Sequence, residues 1–452
     1  MKNRTLDLTT GRISKKILLF FLPVLASSLF QQLYSTMDSI IVGQIIGKTG
    51  LASIDAVAPL MRLPVNFFNG IAAGSAIIIS QCFGAHDYQR LHDSEHTAAA
   101  FGVVFGILLS IIGVLVTRPA LHMMSVPRQI FPMTLSYTRI YFAGLFFSLL
   151  YNIGAGTLQA VGNTRLPFRI LVLAGLVNVV LDYLFVGPMH MGVGGAAIAT
   201  VISQALSATL VIRALMEFDG PCRLYPKDVR FHKKPLMKIL EIGLPTAFQS
   251  SVWPIANIFI EGAMNSMGTD NIAAWGLLGK MDLLLWLCID SFGTSMTTYC
   301  AQNTGAGEIK RMKKGTYFGI VFGIAMVSAI SLLIYFFDIP VGKLFINADS
   351  YDILPLMDQF AKFLCPLYWT YVFCCIFAAA IQGSGEAVAP MVLSLIGTAL
   401  YRILWIILWV PTHHTALTVA AAYPISWILS SSMFAVYWIW YVRHRLNQKS
   451  PA

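Results

Sequence analysis

The chain has 452 residues, 57% hydrophobic and only 12% charged, with a formal net charge of +10. A soluble domain carries about 25% charged residues, so this chain has too little polar surface to face water. Its positive residues sit between apolar runs and not in one basic block, which argues against a nucleic-acid partner.

Apolar runs of about 20 residues recur along the whole chain, each long enough to cross a roughly 30 Å hydrocarbon core as a helix. Backbone polar groups find no water in lipid, so helices are expected. The ten-residue alternation of a β-barrel is missing. The predicted fold is therefore all-α and membrane-integral: twelve transmembrane helices in two pseudo-symmetric six-helix bundles.

The first predicted span, 17–41, is too long and too polar on one face for a signal peptide. It holds Pro23, and then Ser27, Gln31, Tyr34 and Asp38 at spacings of four, three and four. That spacing puts the four on one helical face. A polar stripe on an otherwise apolar helix faces protein or water. Helix–helix glue, with Asp38 a satisfied interfacial carboxylate, is the plainer alternative.

The next spans are 52–82, with Pro59, Arg62 and Pro64, then 96–117 and 132–158, the last carrying Asn152. In the fifth, 166–187, Asn178 and Asp182 are four apart and share a face. Thr200 lies in the sixth, 193–217. Asn152 and Thr200 are candidates to join the two acids. Two carboxylates in one dry pocket resist simultaneous ionisation. Hard oxygens of this kind suit either H⁺ or Na⁺.

A basic segment, 218–235, links the halves, giving a first lobe 1–217 and a second 236–452. The second lobe's spans are 236–265, 271–301, 315–337, 356–381, 388–410 and 416–442. The first of these carries Pro245, Gln249, Pro254, Asn257 and Glu261; the second carries Lys280, Asp282 and Asp290. Glu261 could hold a cation or face a substrate, though pairing with a neighbour near the outer membrane face is the simpler expectation. Arg62 and Arg402 are expected to pair internally or to snorkel. Prolines within spans are read as kinks. The seven cysteines show no CxxC spacing and read as buried apolar residues, with no structural metal.

With both termini placed in the cytoplasm, 22 of the 31 Lys and Arg fall on the inner side, including Lys2, Arg4, Arg12, Lys15, Lys16 and Lys449. Only Lys48, Arg118, Arg128 and Lys343 fall outside. The halves also repeat at a period of about 220 residues: QCFGAHDYQRL (81–91) aligns with QNTGAGEIKRM (302–312), and LQAVGNTRLP (158–167) with IQGSGEAVAP (381–390). LLFFLPVLASS (18–28) aligns with ILEIGLPTAFQ (239–249) through Pro23 and Pro245. Six spans per half is an even number, so the copies are parallel, and a substrate path is expected between the lobes. The chemistry is not repeated: Asp182 matches about Trp405, and Asp38 about Ile260. No GxxxxGK[ST] phosphate loop occurs, so the energy should come from an ion gradient.

Four stretches resemble the multidrug and toxic compound extrusion family: PVLASSLFQQLYSTMDSIIVGQIIG (23–47), ISQCFGAHD (79–87), GTLQAVGNTRLP (156–167) and NVVLDYLFVG (178–187). The resemblance covers the whole chain. It implies a multi-pass inner-membrane antiporter, not an enzyme, needing no cofactor and expelling small organic cations in exchange for H⁺ or Na⁺. It implies Asp38 and Asp182 as coupling carboxylates, with Tyr34, Asn152, Asn178 and Thr200 around them, and Pro23 where some relatives bend the first helix. One branch of the family carries a Glu early in the seventh span; here that place is near Trp253 and Pro254, which leaves Glu261 without an implied ion role. Ser27, Gln31, Gln249, Asn257 and Glu261 are assigned to the substrate cavity, and a monomer in the lipid bilayer is expected. Two alternatives stand beside this reading. A lipid-linked saccharide flippase would need a basic cavity for pyrophosphate. A membrane-embedded prenyl transferase would need Asp-rich motifs, and the nearest pattern, Asp87 to Asp93, lies in a short loop.

Overall fold

The computed structural model describes residues 5–446; Lys2, Arg4 and Lys449, used in the orientation argument, lie outside them. The described residues contain no strand. The helices are α1 Ile13–Ile45, α2 Lys48–Asp55, α3 Ala58–Gly84, α4 Tyr88–Met123, α5 Phe131–Ala160, α6 Arg165–Val186 and α7 Gly192–Met216. They continue with α8 Lys233–Asn265, α9 Thr269–Gly305, α10 Ile309–Gly342, α11 Leu354–Leu364 and α12 Tyr371–Gly383. Val388–Trp409 and Ala416–Leu446 follow.

Ten of these helices are long and apolar enough to cross a membrane, and a bent pair ending at Gly383 makes an eleventh among the described residues. α8 occupies the remaining expected span. Its 33 residues include Lys233, Lys234, Lys238, Gln249, Asn257 and Glu261, which lower its hydropathy. The helices turn apolar side chains outward. Along α4, Ile107, Leu108, Ile111, Ile112 and Leu115 are exposed, as are Leu332, Leu333, Phe336 and Phe337 along α10. Contiguous apolar surface on this scale is a lipid-facing surface.

Two spans differ from the sequence reading. The second is broken at Ala56 and Val57, because Pro59 sits at the start of α3. A proline there lacks an N–H and suits a first turn, so it ends one helix and opens the next. The tenth is broken by a 3₁₀ turn, Cys365–Thr370, with proline at its start, bending the pair by 49°.

The repeat is written in the backbone as well as the sequence. Left-handed residues fall at matched places in the two halves: Gly47 with Gly268, His86 with Gly307, and Gly162 with Gly385. Only Asn, Asp, His and Gly enter that region readily.

The chain divides into two compact units. One holds Leu22–Ala247 together with the residues up to Asp7; the other holds Leu8–Phe21 and the chain from Phe248 onward. The division falls inside α1 and α8. In the second unit the start of the chain is tied down by the repeated loop. Gln302 Oε1 accepts from the Leu8 N–H at 3.0 Å, and Arg311 donates to the carbonyls of Leu8, Thr10 and Gly11 at 3.2, 2.9 and 2.8 Å. In the first unit Gly162 leaves room for the backbone of Leu6, which a Cβ would overlap.

Candidate functional site

The site lies in the first unit and is built by α1, α6 and α7. α1 carries Tyr34 and Asp38 one turn apart, and α6 carries Asn178 and Asp182 in the same way. The two helices approach closely because residue 175 is glycine. A Cβ there would lie 2.7 Å from the Phe30 ring and 3.2 Å from the Tyr34 ring.

The close approach sets the carboxyl groups of Asp38 and Asp182 against each other. Asp182 is fully buried and Asn178 nearly so, while Asp38 is half-buried. One turn away along α6, at Asn178, is a cavity of about 30 Å³ lined by Tyr34, Leu171, Ala174, Gly175, Asn178, Thr200, Ser203, Gln204 and Ser207; neither Asp38 nor Asp182 is part of its lining. A water needs roughly 10–15 Å³ measured in this way. The cavity therefore has room for about two waters, or for a bare ion with one of them, and is far too small for a drug.

Most of the polar atoms here are unsatisfied. Asp38 Oδ1, both carboxylate oxygens of Asp182, both amide atoms of Asn178, Ser203 Oγ and Gln204 Oε1 are buried with no hydrogen-bond partner in the protein. Each such atom costs about 1–3 kcal/mol when left unmade. Glue between helices would show the opposite, a set of closed hydrogen bonds. The arrangement has oxygen acceptors in excess, which suits a cation or a proton.

Of the other residues assigned from the sequence, Thr200 alone lines this cavity. Asn152 does not line the cavity. Its Nδ2 donates to Asn69 Oδ1 at 2.8 Å, joining α5 to α3. Thr200 does line it, with its hydroxyl donating to the Ala196 carbonyl at 3.0 Å. The Ser27 hydroxyl donates to the Pro23 carbonyl at 2.8 Å, and Gln31 is exposed; neither lines the cavity. Ser203, Gln204 and Ser207 were missed. With Thr200 they sit at positions i, i+3, i+4 and i+7, the same stripe that singles out α1.

Gln249, Asn257 and Glu261 belong to the second unit. Gln249 donates to Ser394 Oγ at 2.8 Å and accepts from Gln382 at 2.6 Å. Asn257 Oδ1 accepts from Arg402 Nη1 at 3.1 Å. Glu261 is exposed and makes no ion pair among the described residues, contrary to the expected pairing. Arg402 does pair internally: it is fully buried and also donates to Ser426 Oγ at 2.9 Å. Its guanidinium lies 4.2 Å from the Tyr423 ring centre and 5.2 Å from that of Trp253, and Nη2 has no partner. Arg62 is exposed. Where the acids of the first half would recur, Ile260 is fully buried and Trp405 donates to the Thr418 carbonyl.

The helix contact at residue 175 is testable. Gly175→Leu should push the Phe30 and Tyr34 rings off α6, separate the two carboxyls, and weaken cation binding to the purified protein at least tenfold. Gly175→Ala should be tolerated, because the Phe30 ring can turn aside.

Comparison with known proteins bears on both halves. The MatE family model matches residues 23–184 and again 245–408. A probable multidrug resistance protein of Bacillus subtilis, YoeA, is 26% identical over 92% of this chain and 90% of its own length. An FAD transporter of Shewanella oneidensis is 23% identical over 87% of each chain. Among solved structures, a MOP superfamily transporter from Pyrococcus furiosus, described as having a binding pocket of reversed polarity, superposes with a TM-score of 0.90. It covers 99% of both chains at 20% identity. At that identity the likeness shows the fold.

Proposed function

The chain belongs to the MatE family of membrane transporters, and from that premise we propose that it is a secondary antiporter. It exports small amphipathic organic cations in exchange for H⁺ or Na⁺, with Asp38 and Asp182 as the coupling carboxylates. The observation that supports this reading is the pair of adjoining carboxyls with no donor from the rest of the protein, one helical turn from a small cavity that Tyr34 and Asn178 line. Multidrug export is named for some relatives and multidrug resistance for others.

In the proposed cycle H⁺ or Na⁺ enters from outside and binds at Asp38 and Asp182, with Asn178, Thr200 and Gln204 offering further oxygens. Neutralising the carboxyls weakens the hold on a cationic substrate, which leaves. Release of the ion inside restores the charge that attracts the next cation. The coupling is a difference in affinity between two states, as linkage requires. One elementary charge crossing 100 mV gains about 2.3 kcal/mol. Exchange of one proton for one monovalent cation moves no net charge, so steep drug gradients require more than one ion per cycle. Pro23, whose carbonyl is held by Ser27, is placed to let α1 bend. The protein acts as a monomer in the plasma membrane, with both termini in the cytoplasm.

One observation favours a second reading. Arg402 is a buried cation with no carboxylate partner among the described residues, framed by Trp253 and Tyr423 and lying between two π-helical turns, Leu395–Leu400 and Trp405–Trp409. Such a group fits an anionic aromatic substrate, the class to which the flavin dinucleotide named for one relative belongs.

Purified protein in liposomes separates the readings. Imposing ΔpH and a Na⁺ gradient independently should drive ethidium transport with one of them and not the other. Ethidium flux indifferent to both gradients would overturn the antiport reading. Flux of a flavin nucleotide in place of ethidium would favour the second.

A further inference from the structure

We propose that the first unit holds a site for one divalent transition-metal ion, Zn²⁺ or a close analogue, formed by His92 and His96 of α4 and Asp228 of the connecting segment. Ligand atoms of these three side chains all lie within 4.8 Å of one another. His92 Nε2 is 3.5 Å from Asp228 Oδ2. Ligands about 2.0–2.1 Å from a tetrahedral Zn²⁺ stand about 3.3 Å apart, so this edge is nearly at its bound length.

The histidines are four apart on one helix, in the sequence HDSEH (92–96). That spacing puts both rings on one face, and they stack at 3.9 Å between centres. It is also the H-x-x-E-H spacing of a class of helical zinc sites. Glu95 is buried and is not part of the group. The geometry therefore supports binding and not hydrolysis.

Outer contacts orient the ligands as zinc sites require. His96 Nδ1 is 2.7 Å from the His92 carbonyl, to which it donates, so Nε2 keeps its lone pair. That lone pair accepts from the Tyr225 N–H at 3.0 Å, a bond that coordination would replace. His92 Nδ1 has no hydrogen-bond partner and lies 3.7 Å from Asp93 Oδ1, so that a small turn of the ring on metal binding would close the carboxylate–histidine bond of many metal centres. His232 approaches the same Asp93 oxygen at 3.8 Å and touches Thr97. Two outer groups thus hold the face of α4 to which residues 225–232 are attached. A metal here would fasten that segment to α4.

The test uses full-length protein in detergent, free of any polyhistidine tag, titrated with Zn²⁺ against a chromophoric chelator. One ion per chain at submicromolar affinity is expected. Asp228 is largely exposed, so Asp228→Asn should fold normally and weaken binding at least tenfold, as should His92→Asn. Asp93→Asn should weaken it about tenfold, as outer-shell changes do. His413→Asn with His414→Asn, at an exposed pair far along the chain, should change nothing. In the wild type, Zn²⁺ should also slow tryptic cleavage after Lys227 and Arg230, and should not do so in Asp228→Asn. Binding that is absent, or equal in wild type and Asp228→Asn, would overturn the proposal.

Discussion

Replacing Asp182 by Asn is expected to reduce gradient-driven efflux to the level of protein-free vesicles while leaving the melting temperature unchanged or higher. The two halves of this expectation have one cause. Asp182 is fully buried, adjoins Asp38, and has neither carboxylate oxygen engaged by the protein. If the carboxyl were structural, its removal would break bonds; breaking a buried ion pair costs about 3–5 kcal/mol. Here there are no such bonds to break, so the protein should not soften. In the proposed cycle transport depends on an ion that asparagine cannot exchange, so the function should vanish. Asp38→Asn should behave alike, and the double variant should be no worse than either single one. Groups that act as a unit are not additive. Ethidium efflux under an imposed gradient, paired with thermal unfolding, reads both halves. A variant that keeps half the wild-type rate, or that melts many degrees lower, would remove Asp182 from the coupling role.

How much of this could be read from the sequence differs by residue, for physical reasons. Asp38, Asn178 and Asp182 stand out because an ionisable or amide group inside an apolar span is costly and needs a reason. Their four-residue spacing gives the face they share. Ser203 and Ser207 carry the same spacing but a weaker signal, since serines in membrane helices more often satisfy themselves on the preceding turn, as Ser207 does with the Gln204 carbonyl. Where Asn152 points was not legible, because the direction of an amide on α5 is decided by Asn69, more than 80 residues away. Pro59 shows the same limit locally. A proline in a span can kink or terminate, and the neighbouring helices decide which. Arg402 was legible as an oddity, yet its burial depends on Asn257 of α8 and on Tyr423 and Ser426 of the last helix, two distant stretches of chain.

The second large effect is expected at Gly74. A Cβ at Gly70 or Gly74 would come well under 3.0 Å from backbone atoms of Ala247 or Gly243, a separation real Cβ atoms essentially never show. The two pairs have the same four-residue spacing, glycine and glycine on α3 against glycine and alanine on α8. This is the small-residue contact by which membrane helices bring their backbones together. Lipid tails are as apolar as leucine, so helix contact in a membrane rests on van der Waals packing. A side chain cannot relieve this clash by turning, because the obstructing atoms are main chain. Gly74→Leu must therefore part α3 from α8. Overpacking costs about 1–3 kcal/mol when neighbours can yield, and more where they cannot. Gel filtration of Gly74→Leu in detergent should show little monodisperse protein, and vesicles made from what survives should lose most of their transport. Gly279→Leu on α9 is the matching control, since a Cβ there meets open space. If both variants behave like the wild type, the contact between α3 and α8 does not hold the first unit together, and stability must come from the α4–α7 packing alone.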